Sequence, residues 1–86
     1  MSIILEIKKT LKCALPDSEI YILDPRNDQT HLEAIVISPL FINLSLVKQH
    51  RIVMQPLNEH FKEGLHALAL KTYTPDEWKK RQKDGD

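Results

Sequence analysis

The segment Gly64–Trp78 constrains the fold more than any other part of this chain, because it indicates a strand that runs into a helix with a sharply defined start. Thr74 and Glu77 have the spacing of a capping box, in which each side chain bonds to the other residue's backbone N–H. Pro75 falls at the first helical position, where its missing N–H costs nothing. A helix is therefore predicted to begin at Pro75, directly after a strand.

The rest of the chain alternates between segments with different hydrophobic periods. Apolar residues at four-residue intervals predict an amphipathic first helix, and runs of β-branched residues predict strands on either side of a polar loop, Pro25–Thr30. From Asn43 the helical period returns, and Pro56 divides that stretch into two helical pieces. The predicted elements are a helix over 2–15, strands over 19–24, 32–38 and 65–72, two helical pieces between Asn43 and a capping Gly64, and a helix over 75–82.

This order, α-β-β-α(α)-β-α, predicts an α+β fold. The short link between the first two strands favours an antiparallel pair, and the helical link to the third strand favours a parallel crossover. We therefore expect a three-stranded mixed sheet with helices on one face. The order is KH-like, of the second type, although the chain lacks the G-x-x-G loop of those modules. Its 86 residues suit a single domain over 1–86, with a disordered tail over 83–86.

Charge and cysteine content narrow the function classes. The chain has 12 basic and 12 acidic residues, so a general electrostatic grip on nucleic acid or on an anionic membrane is not expected. The single cysteine, Cys13, leaves no partner for an internal disulfide and favours a reducing compartment. The N-terminal apolar residues are too few for a signal peptide or a membrane span. We expect a cytoplasmic protein that does not enter membranes.

The signals for catalysis are weak. The chain has only two glycines, Gly64 and Gly85, and no glycine-rich phosphate loop. Cys13 lies on the first helix away from its apolar stripe, with no histidine nearby, so it is not expected to be a reactive nucleophile. We therefore expect that this protein is not an enzyme.

The four histidines are the most suggestive polar residues. His31 precedes the second strand and His66 opens the third, so in a parallel pair they lie at the same end of the sheet. Neutral imidazole binds zinc, copper and iron, and two such rings supply half of a coordination sphere. The ordinary alternative is a surface or capping role. His50 is predicted to lie on the apolar stripe Val47, His50, Met54, Leu57 and Phe61 of the middle helix, and His60 is predicted to face solvent.

The middle helical stretch also permits a nucleic-acid hypothesis. Residues 45–61 have the length of a helix-turn-helix unit, with Lys48, His50 and Arg51 as the contacting side chains. A basic cluster of this size is more commonly a solvated helix face.

Several segments together resemble BolA-like proteins. The run Leu65–Trp78 closely resembles the C-terminal signature of that family, and Thr30–Ser38 resembles its second strand. Phe41 followed by Val47–Val53 resembles the start of its middle helix. The segments most similar to the IbaG branch of the family are Leu15-Pro16-Asp17 and Pro56-Leu57.

The resemblance implies a function as well as a fold. BolA-like proteins pair with monothiol glutaredoxins and share a bridging [2Fe–2S] cluster, whose other ligands are the glutaredoxin thiolate and glutathione. By resemblance His66 is a ligand, and His31 matches the place of a second one. Such proteins are associated with iron–sulfur trafficking, iron homeostasis and stress responses, and some are described as transcriptional regulators. No cofactor is expected in the isolated protein.

The residues that contact the partner are assigned from the sequence of this chain. Basic side chains near the signature, Lys71, Lys79 and Lys80, are expected to help dock the glutaredoxin or the glutathione carboxylates. The alternative function is DNA-binding regulation through the middle helices, and weak homodimerisation stays open. Two departures bear on these expectations. Asn43 stands where the family has glycine, and asparagine tolerates the left-handed conformation. Gln49 replaces an arginine, which lowers the positive charge.

Overall fold

The computed structural model describes residues 3–28, 30–62, 65 and 67–84. Its element order matches the predicted one. Two short 3-10 turns, Pro39–Phe41 and Gln55–Leu57, lie before and after the second helix. The helices and strands are α1 (Ile3–Ala14), β1 (Glu19–Leu23), β2 (His31–Ile37), α2 (Leu46–Met54), α3 (Asn58–Lys62), β3 (Ala67–Tyr73) and α4 (Pro75–Asp84).

The three strands form one mixed sheet in the order β1-β2-β3. Strands β1 and β2 are antiparallel, with Glu19 opposite Ile37. Strands β2 and β3 are parallel, with His31 opposite Ala67. The predicted hairpin and the predicted crossover are both confirmed, because the polar loop is short enough for a hairpin and the intervening helices return the chain to the same sheet end.

The core lies between the sheet and helices α1 to α3. Alternate strand residues point to it, so that Leu32, Ala34 and Val36 of β2 are buried. Helix α1 contacts β1 and helix α2 contacts β3. The buried core cluster consists of Ile7, Leu11, Leu15, Ile20, Leu32, Val36, Phe41, Val53, Leu57 and Leu65.

The face of α2 that contacts the sheet differs from the predicted one. Val47, placed on the apolar stripe by its spacing, is 66% exposed, and the helix buries Gln49 and Val53 instead. Leu57, which follows the helix, is buried as the stripe predicts. The start of α2 is fixed by Ser45, whose hydroxyl accepts a hydrogen bond from the Lys48 backbone N–H at 3.3 Å. Residues 49 and 53 lie about one turn apart on the helix and face the sheet.

A buried glutamine explains why hydropathy misplaced that face. The Gln49 Nε2 donates to the Leu44 carbonyl at 2.9 Å and to the Phe41 carbonyl at 3.4 Å. Its Oε1 accepts from the Thr72 hydroxyl of β3 at 2.6 Å. Because the amide is fully hydrogen-bonded, a polar side chain can occupy a core position at little cost. Gln49 is therefore buried and contributes no charge to the surface of α2.

Several element ends differ from prediction by one or two residues, among them the ends of β1 at Leu23, of β2 at Ile37 and of β3 at Tyr73. His31 is the first residue of β2 and not the last of the loop. Leu65, predicted in the third strand, is buried just before it, and its N–H donates to the His60 carbonyl at 3.1 Å. Helix α4 continues to Asp84, into the predicted tail, while residues 85–86 lie outside the described residues, as does Gly64. Pro56 lies in the turn between α2 and α3, as predicted.

Helix α4 begins as the sequence predicts. The Thr74 N–H donates to Glu77 Oε1 at 2.8 Å, and the Glu77 N–H donates to Thr74 Oγ1 at 3.3 Å. The predicted arrangement, with the helices on one face of the sheet, holds for α1 to α3. Helix α4 instead places Trp78 against aromatic rings on the opposite face of the sheet. The Trp78 ring centroid lies 5.9 Å from that of Tyr21 and 5.3 Å from that of Tyr73.

The turn before α2 and the position of Cys13 both agree with prediction. Asn43 adopts the left-handed conformation, with a φ of 67°, so the turn before α2 forms without a glycine. Cys13 is exposed and off the apolar face of α1, as predicted. Within the described part of the chain, no helix has the length and apolar character needed to cross a membrane.

Candidate functional site

The candidate site lies where β2 and β3 begin. His31 opens β2 and stands opposite Ala67, the first residue of β3, in the parallel register. The Ala67 N–H donates to the Thr30 carbonyl at 3.0 Å, which ties the starts of the two strands together. His66, the other predicted ligand, directly precedes Ala67 in the chain but lies outside the described residues.

Two oxygen atoms contact the ring of His31 at Nδ1. Its Nδ1 lies 3.0 Å from Oδ2 of Asp28 and 3.0 Å from Oγ1 of Thr30. An ionised carboxylate can only accept a hydrogen bond, so Nδ1 carries the proton in this contact. In the neutral ring, the lone pair is then on Nε2. The His31 side chain is 39% exposed and therefore accessible to a second molecule.

Asp28 is itself fixed by backbone groups of the loop. Its Oδ1 accepts from the N–H of Thr30 at 3.0 Å and from the N–H of His31 at 3.1 Å. These bonds, the one from Thr30 above all, hold the pKa of the Asp28 carboxyl well below its usual range, with a smaller contribution from the His31 ring. Asp24 extends the arrangement, since its Oδ1 accepts from the Asp28 N–H at 3.2 Å.

The hydrogen bonding of His31 resembles that of histidines that bind metals. A histidine that ligates a metal usually donates its second ring N–H to a carboxylate, a carbonyl or water, and this bond fixes the tautomer. His31 and Asp28 have that arrangement. Among residues 3–28, 30–62, 65 and 67–84, no group of three or more His, Cys, Asp or Glu side chains could hold a metal ion. His31 could therefore serve only in a site completed by groups outside that set.

The predicted docking lysines lie at different distances from His31. Lys71 is exposed on β3, and by strand alternation it shares a face with Ala67 and His31. It lies four residues beyond Ala67, about 13 Å along the strand. Lys79 and Lys80 are exposed on α4, which follows the far end of β3, about 20 Å from Ala67 along the strand axis. Of the three lysines, Lys71 thus lies on the strand paired with that of His31, whereas Lys79 and Lys80 lie on the helix that places Trp78 against the same sheet face.

The predicted nucleic-acid contacts lie on α2. Lys48 and Arg51 are exposed, and His50 is half-buried. The first turn of the helix exposes Leu46 and Val47, which would present aliphatic side chains to a groove. Helix α3 has five residues, too few to lie along a major groove as a recognition helix. The structure thus places the basic side chains together without forming the two long helices of a helix-turn-helix.

The expectation that His60 faces solvent is wrong. His60 is half-buried, and its Nε2 lies 3.1 Å from Oγ1 of Thr10 on α1. The Thr10 hydroxyl donates its proton to the Glu6 carbonyl at 2.9 Å, so it accepts the bond from His60. His60 therefore carries its proton on Nε2, the opposite tautomer to His31, and its role is to join α1 to α3.

Asp28 is the residue that sequence reasoning missed at the candidate site. It lies three residues before His31, a spacing at which an aspartate can bond both the backbone N–H groups of the turn and the following side chain. That spacing is visible in the sequence, but turn chemistry alone does not indicate that the Asp28 carboxylate also contacts the His31 ring.

Comparison with known proteins identifies the family. Residues 8–77 match the family model described as BolA-like protein. The DNA-binding transcriptional regulator BolA of Haemophilus influenzae is 39% identical over 63% of this chain, an alignment that spans 52% of that protein. The acid stress protein IbaG of Escherichia coli K12 is 34% identical over 91% of this chain and 90% of its own length.

The solved structures agree with the sequence matches. BolA1 from Arabidopsis thaliana superposes with a TM-score of 0.78 at 33% identity, over 86% of this chain and 93% of that one. The chain thus spans about half the length of the BolA regulator that it matches and nearly the whole of IbaG and of the plant BolA1.

Proposed function

This chain belongs to the BolA-like protein family, and from that premise we propose that it is a non-catalytic adaptor for a monothiol glutaredoxin. Together the two proteins would hold a bridging [2Fe–2S] cluster, in iron–sulfur trafficking or iron homeostasis. The observation that carries the proposal is the ring of His31, which is accessible and bound through Nδ1 at the shared end of β2 and β3.

Two histidines of this chain would be the ligands. His31 supports the proposal through its contact with Asp28, because a histidine that binds a metal commonly donates its other ring N–H to a carboxylate. His66 is supported by the chain itself, because it directly precedes Ala67, the residue paired with His31. A cluster of this type takes four protein or small-molecule ligands. The glutaredoxin thiolate and glutathione would supply the other two.

Mixed ligation has a chemical consequence. Replacing thiolates by neutral imidazoles lowers the negative charge around the iron atoms, and histidine-ligated [2Fe–2S] centres have higher reduction potentials than all-thiolate ones. The bound cluster supplies that redox and transfer chemistry. The residues of this chain would supply two neutral donors and a surface for the partner.

The surface around His31 suits a protein partner. Lys71 is exposed on the same face, and the outer strand β1 adds Tyr21 and Leu23, which are both exposed. This face combines apolar side chains with Lys71 and with Glu33, which is paired with Ala69, so Lys71 is the group that would meet a carboxylate of the partner, such as that of glutathione. Lys79 and Lys80 would contact a partner only if its footprint also covered α4.

DNA-binding regulation is the competing function. The name of the Haemophilus influenzae relative favours it, as do Lys48 and Arg51, which are exposed on one helix. The balanced charge of the chain and the exposed Leu46 and Val47 between those cations and the turn weigh against it. We therefore place the adaptor function first.

The proposal is tested by reconstitution. This protein is mixed with a monothiol glutaredoxin, iron, sulfide and glutathione, and visible absorption and circular dichroism are recorded. The wild type is expected to give a spectrum distinct from that of the glutaredoxin alone. His66→Ala is expected to abolish it, and His31→Ala to alter it. His50→Ala, a substitution of a half-buried histidine on α2, is the matched control and should leave the spectrum unchanged. A wild-type mixture identical to glutaredoxin alone would contradict the proposal.

A further inference from the structure

We propose that the exposed turn before α2 and the outward side of that helix form a docking surface for an acidic amphipathic segment of another protein. The segment would place its apolar side chains on exposed aliphatic residues of this chain and its carboxylates against two cations of α2. This docking is independent of the cluster and goes beyond the proposed function. The surface, named here the aliphatic–basic patch, consists of Leu40, Ile42, Leu46, Val47, Lys48 and Arg51.

Exposed aliphatic side chains are concentrated in this part of the chain. Of the seven large hydrophobic side chains that are exposed within the described residues, four lie between positions 40 and 47. Leu46 is 61% exposed and Val47 is 66% exposed. Single exposed apolar residues are normal on a soluble protein, whereas a group of them bordered by polar residues marks an interaction site.

The backbone of the segment holds this group in place. The Leu40 N–H donates to the Ser38 hydroxyl at 3.1 Å, and the Leu44 N–H donates to the Phe41 carbonyl at 3.1 Å. The Gln49 amide bonds the carbonyls of Phe41 and Leu44, which ties the turn to α2. Because Phe41 and Gln49 already fill the buried positions, the neighbouring aliphatic side chains stay in solvent. A surface preorganised in this way loses little freedom when a partner binds.

The two cations lie beside the aliphatic side chains on α2. Arg51 is four residues after Val47, so the two side chains share one side of the helix. Lys48 follows Val47 directly and lies three residues before Arg51, which places both cations on the exposed half of the helix. An apolar group with cations at its border matches a partner with apolar residues bordered by carboxylates.

Carboxylates of this chain are scarce around the patch. The sequence has no acidic residue between Glu33 and Glu59. Asp76 and Glu77 begin α4, which follows β3, and Glu77 Oε1 already accepts from the Thr74 N–H. In the part of the chain that the structure describes, no carboxylate forms an ion pair with either cation of the patch. Both cations are therefore left for carboxylates of a partner.

A protein partner suits this surface better than a lipid or nucleic-acid one. Binding to anionic membranes and to DNA grows with the number of cations brought to the surface, and two cations on a chain of balanced charge contribute little to either. Protein interfaces instead combine an apolar centre with a few charges at the rim. An amphipathic helix presents such a pattern along one face.

The patch lies apart from the candidate site. His31 begins β2, and the turn Pro39–Phe41 follows the other end of that strand, about 20 Å away along its axis. Helix α2 also belongs to the helical layer, on the sheet face opposite to Lys71. A partner on the patch would thus leave the surface around His31 open to a second protein.

Three synthetic peptides of about 15 residues test the docking surface. The first carries leucines at helical spacing with glutamates beside them, the second has lysines in place of the glutamates, and the third has the composition of the first in an order without an apolar face. Each is titrated into the ¹⁵N-labelled full chain, and amide shifts give the site and the Kd. We expect the first peptide to bind about 10-fold or more tightly than the other two, with the largest shifts at residues 40–51.

A pair of leucine substitutions tests the aliphatic part of the patch. Leu46→Ser should weaken binding of the glutamate peptide by about 3–10-fold, because it removes an apolar contact. Leu5→Ser is the matched control, since Leu5 is 67% exposed and lies beside Lys8 and Lys9 on α1. It should leave the Kd unchanged. Equal losses in the two variants would show that the peptide binds without selecting the patch.

A charge reversal tests the basic part. Lys48→Glu combined with Arg51→Glu should transfer the preference of the protein to the lysine peptide, a result that loss of folding cannot produce. The control is Lys8→Glu combined with Lys9→Glu, which makes the same change of charge on α1 and should leave the preference for the glutamate peptide intact.

Several results would overturn the proposal. Failure of the glutamate peptide to bind, equal binding of the scrambled peptide, or shifts centred on α1 would each do so. A DNA duplex and vesicles containing phosphatidylserine are titrated in the same buffer, and if either shifts residues 40–51 at a lower concentration than the glutamate peptide, the surface serves nucleic acid or lipid instead. None of these measurements uses glutaredoxin or iron, so their failure leaves the adaptor function standing.

Discussion

At the residue scale, the side chains that matter most are polar ones whose hydrogen bonds hydropathy does not indicate. The partners of Asp28 are local, at two to four residues, whereas the Gln49 amide meets Thr72, 23 residues away on β3. Asn43 and the Thr74 capping box were predictable, because their partners are local or their backbone conformation is intrinsic. His60 was placed wrongly because its partner, Thr10, lies fifty residues away.

The buried pair Gln49 and Thr72 allows a stability prediction at this scale. Thr72→Val removes the hydroxyl at nearly constant shape and leaves Gln49 Oε1 buried without its donor, which should lower the free energy of unfolding by about 1–3 kcal/mol. Gln49→Met should also destabilise, because it leaves the Leu44 carbonyl and the Thr72 hydroxyl unpaired. Urea unfolding of both variants measures the losses.

The double variant is the control for that pair. Because Thr72→Val and Gln49→Met remove two partners of one bond, the double variant should lose less than the sum of the two single losses, by about 0.5–3 kcal/mol. Additive losses would show that the 2.6 Å contact contributes nothing of its own.

At the scale of the elements, the sequence identified the helices and strands and their order, and it misjudged one helix face. Turn chemistry and capping determine where elements start and stop, and both can be recognised from a few neighbouring residues in the sequence. The rotation of α2 depends on which residues the sheet can accept, and Gln49 is accepted because β3 offers it Thr72. Ends such as Leu65 differ by one or two residues, as expected where capping geometry decides.

The corrected face of α2 makes its own prediction. Val53 is fully buried, so Val53→Asp places an unpaired charge in the core and should leave the chain largely unfolded. Val47 is exposed, so Val47→Asp should change the free energy of unfolding by no more than about 0.5 kcal/mol. Far-ultraviolet circular dichroism and urea unfolding distinguish them. If Val47→Asp were more destabilising than Val53→Asp, the buried face of α2 would be the one that hydropathy indicates.

The capping box gives a second prediction for an element. Thr74→Ala removes the acceptor of the Glu77 N–H and should cost about 1 kcal/mol in the free energy of unfolding. Lys80→Ala, an exposed substitution in the same helix, is the control and should lie within about 0.5 kcal/mol of the wild type. Equal stability of Thr74→Ala and wild type would mean that α4 is held by Trp78 and its rings rather than by its cap.

At the scale of the whole molecule, one sheet separates two kinds of surface. Helices α1 to α3 cover one face, and the opposite face carries Tyr21, Lys71 and, at the start of the central strand β2, His31. The topology that produces this separation was predictable from the element order. The role of His66 stays a prediction, because it came from resemblance and that residue lies outside the described part of the chain.

The balanced charge of the molecule predicts its behaviour with DNA. With 12 basic and 12 acidic residues, binding to a duplex should be weak even at about 50 mM salt, and Lys48→Ala with Arg51→Ala should change it little. Fluorescence anisotropy of a labelled duplex from about 50 to 200 mM salt measures this. Tight binding that falls steeply with salt and is lost in the double variant would favour the regulator function.

The central claim is that histidines of this chain bind the shared cluster, and nitrogen coupling tests it most directly. The protein is labelled with ¹⁵N at histidine only, combined with unlabelled glutaredoxin, glutathione, iron and sulfide, reduced, and examined by pulsed electron paramagnetic resonance. We expect strong ¹⁵N couplings in the wild type, and a diminished set in His66→Ala if any cluster survives. A reduced cluster in the wild-type complex without directly coupled ¹⁵N would show that neither His66 nor His31 is a ligand, and would contradict the account.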